Sequence, residues 1–121
     1  MLVVACLMIC SLAACGGPAG DEALTKNTYI ELVDWHIAGL WVINSPVAWV
    51  RVKNYNNVPI KDVTLQYSTF DSDGSLLDRS DYTMEGTVPP GQVKNFIEQY
   101  LGIVKLQSQN LSIKLLSVTQ A

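Results

Sequence analysis

The chain has 121 residues, 49% of them apolar, with 8 basic and 11 acidic side chains, 3 cysteines and one histidine. That length builds one domain whose core can close without metal or disulfide help. A net charge of −3 argues against phosphate-driven nucleic-acid binding, and a single histidine, His36, leaves no pair to hold zinc and only one way to complete a Ser-His-Asp triad.

The first fifteen residues, MLVVACLMICSLAAC, carry no charge, and the first charged side chain is Asp21. The apolar run from Leu2 to Ala14 is shorter than the roughly 20 residues of a membrane-spanning helix. It matches the apolar centre of a secretory signal followed by small residues, although the usual basic start is replaced by Met1-Leu2-Val3. The tetrad Leu12-Ala13-Ala14-Cys15 resembles the lipobox of bacterial lipoproteins. That resemblance implies that residues 1–14 are a signal peptide, that the chain is cut before Cys15, and that the Cys15 thiol is diacylated. Cys6 and Cys10 then leave with the signal, so no thiol remains for a disulfide, a metal or catalysis. Two or three acyl chains hold a protein on a membrane essentially permanently, where one is marginal. Gly16 after the cysteine implies, by analogy with Gram-negative sorting, delivery to the outer membrane.

Residues 16–27, GGPAGDEALTKN, are small, polar and aperiodic, and with Cys15 they read as a lipidated tether over 15–27. As a flexible coil it would reach roughly 20 Å. The folded domain is expected over 28–121.

Val47 to Lys53 alternates, with Ala48, Val50 and Val52 on one face and Trp49, Arg51 and Lys53 on the other, which predicts a half-buried strand. The turn formers Asn54 to Pro59 follow, then a second strand in which Val63, Leu65 and Tyr67 alternate with Thr64, Gln66 and Ser68. Asp71-Ser72-Asp73-Gly74 predicts a tight hairpin, with Gly74 at positive φ. Ser75 starts the return strand, Tyr82 to Val88 continues the sheet, Pro89-Pro90-Gly91 closes it, and Leu111, Ile113 and Leu115 mark a final strand. Two segments break the rule. Val93, Phe96, Ile97, Tyr100, Leu101 and Val104 follow the i, i+3, i+4 spacing of a helix, and Tyr29 to Val42 fits both periods equally.

The succession Val50-x-Val52-x-Asn54, Val63-x-Leu65-x-Tyr67, Phe70-Asp71-x-Asp73-Gly74, Val88-x-Pro90-Gly91 and Phe96 is similar to FxLYD-type domains. These are bacterial immunoglobulin-like sandwiches, frequently lipoproteins or membrane-tethered. The likeness covers residues 48 to 118, with Thr69-Phe70-Asp71 standing where the family has Leu-Tyr-Asp. It implies an all-β, immunoglobulin-like sandwich of about seven short strands, with 93–99 extended despite its helical spacing.

Asp71, Asp73, Asp78, Asp81 and Glu85 crowd one hairpin, where carboxylates cap their own backbone and protect a sheet edge. As a calcium loop the register fails, because Gly74 falls fourth from Asp71 rather than sixth. His36, between Trp35 and Ile37, reads as a packed or surface residue. No catalytic residue, metal ligand or cofactor site is assigned. The candidate binding surface is Trp49 with Arg51 and Lys53, an outward indole beside two cations. The expected function is therefore a non-catalytic, lipid-anchored envelope protein that binds or scaffolds an envelope protein partner. The alternative is a carbohydrate-binding module that stacks sugars on Trp49 and Trp41.

Overall fold

The computed structural model of the chain describes residues 18–40 and 43–121. The signal segment, Cys15 and Trp41 lie outside those residues. A short helix α1 (Pro18–Lys26) is followed by six strands: β1 (Thr28–Leu40), β2 (Ile43–Asn54), β3 (Ile60–Phe70), β4 (Leu76–Met84), β5 (Val93–Tyr100) and β6 (Asn110–Gln120). They form two three-stranded sheets in the orders β1-β2-β5 and β4-β3-β6, every pairing antiparallel. The chain is an all-β sandwich, as its turn punctuation predicts.

The alternation along β2 decides which residues fill the sandwich. Ala48, Val50 and Val52 are 0%, 1% and 0% exposed and meet Val63, Leu65 and Tyr67 of β3 in one core with Met84, Val88, Phe96 and Val118. Burying each of the larger aliphatic side chains is worth about 1.5–3 kcal/mol. The β3–β4 hairpin turns where expected. Gly74 has φ of 84°, and the Asp71 carboxylate accepts the N–H groups of Asp73 and Ser75 at 2.9 and 3.0 Å. That carboxylate is occupied by its own backbone, as turn chemistry predicts. Asp78 likewise accepts the Lys105 N–H at 2.8 Å, pinning the β5–β6 loop to β4.

Below the core lies a polar hub. Asn54 is fully buried; its amide donates to the carbonyls of Val58, Val88 and Pro89, while its Oδ1 accepts from the N–H and side-chain amide of Asn56. The Asn-rich loop after β2 and the Pro-Pro-Gly loop before β5 are thereby held together through one side chain.

The expectation of a flexible tether across residues 16–27 is corrected over residues 18–26. Residues 18–26 are α1, and the helix is docked. Leu24 packs on the core, the Thr25 hydroxyl accepts the Val118 N–H at 3.1 Å, and the Leu24 carbonyl accepts from Thr28 and Asn56. The Asn27 carbonyl accepts the Tyr55 N–H at 2.8 Å. Nothing in its composition announces an amphipathic helix, because one leucine and four hydrogen bonds do the docking. Pro18 at the first position and Lys26 in the last turn suit a helix start and end.

Residues 93–100 are a strand, as the FxLYD likeness implies and against their helical spacing. The cause is a bulge. Ala48 pairs with Gln99 and Val50 with Phe96, so Ile97 and Glu98 together oppose Trp49, and Glu98 takes φ of 49°. One extra residue stretches the two-residue period to three at that point and produces the i, i+3 spacing.

Candidate functional site

The outer face of β1-β2-β5 is built around Trp49, which the alternation of β2 points away from the core. A second bulge faces it from the other side. Leu32 pairs with Val50 and Asp34 with Trp49, which leaves Val33 as the extra residue of β1. Trp49 is thus bracketed by a bulge in each neighbouring strand. The bulges push Val33 and Ile97 outward, 49% and 63% exposed, on either side of the half-buried indole. Between them lies an open cleft of about 260 Å³, floored by Val50 and Phe96 and walled by Val33, Trp49 and Ile97, with Arg51 and Asn95 at its polar end.

Arg51 is fixed at that end. Its Nη1 donates to Glu31 Oε2 at 3.2 Å and its Nε to Asn95 Oδ1 at 3.3 Å, across the strand pairings that align these three residues. Both partners of the ion pair are about half exposed, so the pair orients the guanidinium rather than stabilising the fold by much, about 1 kcal/mol at most. At the opposite end the His36 ring leans on Trp49. Lys53 stands apart: its ammonium lies over the Tyr55 ring, 4.8 Å from the centroid, and does not line the cleft. Two of the three residues read from the sequence, Trp49 and Arg51, therefore share a site, with Lys53 one pairing row further along β2.

The apolar character extends beyond the cleft. Tyr29, Val93 and Tyr100 on the same face are 62%, 46% and 60% exposed. Both edges of the sheet are closed to further strands at the level of Trp49. Asp34 Oδ1 accepts the Trp35 N–H at 2.8 Å, and the Gln99 amide donates to the Ile97 carbonyl at 2.8 Å. Side chains thus take up backbone groups that an added strand would use, and the bulges twist the edges away. What is left open is the face.

No protein-family model matches the chain, and no curated protein sequence does either. Two solved structures are similar to it at low identity. One is similar to it at 12% identity and a TM-score of 0.43 over 77% of this chain: target SoR45 of the Northeast Structural Genomics Consortium. The Salmonella enterica trimeric lipoprotein SadB is similar at 12% identity and a TM-score of 0.42, covering 94% of this chain and 71% of its own. The chain spans 65% of the length of SoR45.

Sequence reading missed Val33, Asn95, Ile97 and Tyr100 as parts of the surface around Trp49. The signal that could have found them was the loss of a clean period in the two segments that became β1 and β5. A bulge is one of the few devices that breaks alternation inside a strand. Trp35, by contrast, turns inward and packs on the core.

Proposed function

We propose that this is a non-catalytic, lipid-anchored protein of the bacterial cell envelope that docks a protein partner on the outer face of β1-β2-β5. The observation that carries the docking is the Trp49 cleft, set in a sheet face with five large exposed apolar side chains, Tyr29, Val33, Val93, Ile97 and Tyr100. Exposed apolar surface of that kind, crossed here by the Glu31–Arg51–Asn95 row, marks interaction sites, and a central aromatic beside an arginine is the usual composition of their energetic centre. The anchor rests on the Leu12–Cys15 lipobox, and the FxLYD-type, immunoglobulin-like assignment rests on the residues quoted above.

The carbohydrate alternative keeps Trp49 as a stacking platform. The branched aliphatic walls, Val33 and Ile97, favour protein over sugar, because sugar sites ring a flat aromatic with hydrogen-bonding groups rather than methyl groups. Two experiments test the proposal. Cys15→Ser should abolish incorporation of labelled fatty acid and release the chain from the membrane fraction; unchanged labelling and fractionation would contradict the anchor. Titration of envelope glycans should leave the tryptophan emission unmoved. A saturable shift that disappears in Trp49→Ala would replace protein docking with sugar binding.

A further inference from the structure

We infer that the partner docked on this face is a second copy of the same chain, laid on it with its strands reversed. The inference rests on the reading of the face as a protein-docking surface and names what covers it. Area comes first. Tyr29 and Tyr100 are 62% and 60% exposed, and Val33, Val93 and Ile97 are 49%, 46% and 63% exposed. Side chains of that size, about half open, present on the order of 400–500 Å² of apolar surface. A stable interface buries about 800 Å² per partner, a little over half of it apolar, so one such face supplies what one protomer contributes.

Charge then selects the occupant. A surface built for a foreign partner of one charge would carry mainly the other sign, whereas this face carries both: Glu31 is paired with Arg51, Lys53 lies one row beyond that pair, and Asp34 and Glu98 lie one row before it. The cations Arg51 and Lys53 follow Trp49 on β2 towards its C-terminal end. The carboxylates of Asp34 and Glu98 belong to the bulges on either side of Trp49 and make no ion pair among the described residues. A two-fold axis crossing β2 between Trp49 and Arg51 lays β2 on β2 in opposite directions. Each Arg51 then falls opposite the other copy's Trp49, a guanidinium over an indole face, and stands beside the facing carboxylates of its own Glu31 and the other copy's Asp34. The same rotation brings Lys53 of one copy to within one pairing row and one strand of Asp34 in the other, an in-plane offset of roughly 8 Å that the two side chains can bridge. Superposing the strands in the same direction would instead set Arg51 and Lys53 against themselves. The contact is isologous and closes at two copies. The bulged, self-capped edges direct association to the face and away from strand addition.

The test uses the full-length protein released from membranes in mild detergent and weighed by native mass spectrometry. The wild-type chain should be dimeric at low micromolar concentration. Lys53→Glu and Asp34→Lys should each be monomeric at that concentration, with circular dichroism unchanged. Mixing the two variants should restore a heterodimer, because each contact between position 53 of one copy and position 34 of the other then joins opposite charges. A dimer indifferent to both substitutions would overturn the inference. So would a wild-type chain that stays monomeric at tens of micromolar. In that second case, a photo-crosslinker at Ile97 that captures a different protein in cells leaves the docking surface standing with another occupant. Capture of no protein removes the docking reading as well.

Discussion

The indole of Trp49 and the imidazole of His36 lie 5.4 Å apart between centroids with their planes inclined at 39°. His36 is the chain's one histidine, and in this position it buttresses the tryptophan that walls the cleft. Tilted aromatic pairs of this kind contribute about 0.5–1.5 kcal/mol beyond their buried area. His36→Ala should therefore lower stability by about that amount and shift the Trp49 emission to the red, with Trp49→Phe identifying which indole moved. His36→Phe should keep both properties. Unaltered emission in His36→Ala would show that the ring contact does not hold the indole.

The docked helix makes a separate claim. Thr25→Val removes the acceptor of the Val118 N–H while keeping the shape of the side chain. The orphaned donor should cost about 1–2 kcal/mol, and hydrogen exchange at Val118 should accelerate. Leu24→Ala, which empties a half-buried contact on the core, should cost about 1–2 kcal/mol in denaturant unfolding. A segment that merely tethered the domain would show neither effect.

Asn54 supports the opposite prediction to an ordinary surface asparagine. Its side chain serves three carbonyls and two donors from complete burial. Asn54→Ala should destabilise by about 2–4 kcal/mol, since several buried groups lose their partner together. A double-mutant cycle with Asn56→Ala should show coupling of about 0.5–3 kcal/mol, and strictly additive losses would contradict the shared network.

Much of this architecture was legible in the sequence because most of the core strands keep strict alternation. The facing of β2 follows from Val47 to Lys53 alone, and the β3–β4 turn from Asp71 to Gly74. Two elements resisted for one physical reason. In β1 the inward set runs Ile30, Leu32, then Trp35, and in β5 Phe96 is followed inward by Gln99, because Val33 and the Ile97–Glu98 pair each add a residue. The bulges that hid those strands also build the cleft, so the least readable part of the sequence is the site. Helix α1 was missed differently: its docking comes from hydrogen bonds to Val118 and Asn56, and from the bond between Tyr55 and Asn27 just past its end, all far away in sequence, and no local pattern encodes them.

Alkaline pH offers a check on the packing between the two sheets. Burial, and then the charge of Glu85, hold the Tyr82 phenol above its ordinary range, and the phenol donates to Gln99 Oε1 at 3.0 Å. A pKa raised on folding means that the protonated phenol is the form the fold prefers. Its contribution is complete below about pH 10, the unfolded value, and is lost as pH rises through the higher folded value. Tyr82→Phe should flatten that alkaline decline and cost about 0.5–1.5 kcal/mol at neutral pH through the lost hydrogen bond. An alkaline decline equally steep in the variant would place its origin elsewhere.

The claim that the outer face of β1-β2-β5 docks protein is tested most directly in living cells. A photo-reactive amino acid at Ile97, which is 63% exposed at the cleft wall, should give one dominant protein adduct on irradiation. The same residue placed at Leu116, on the other sheet, should give none. A glycan adduct at Ile97, or equal and diffuse labelling from both positions, would contradict the account.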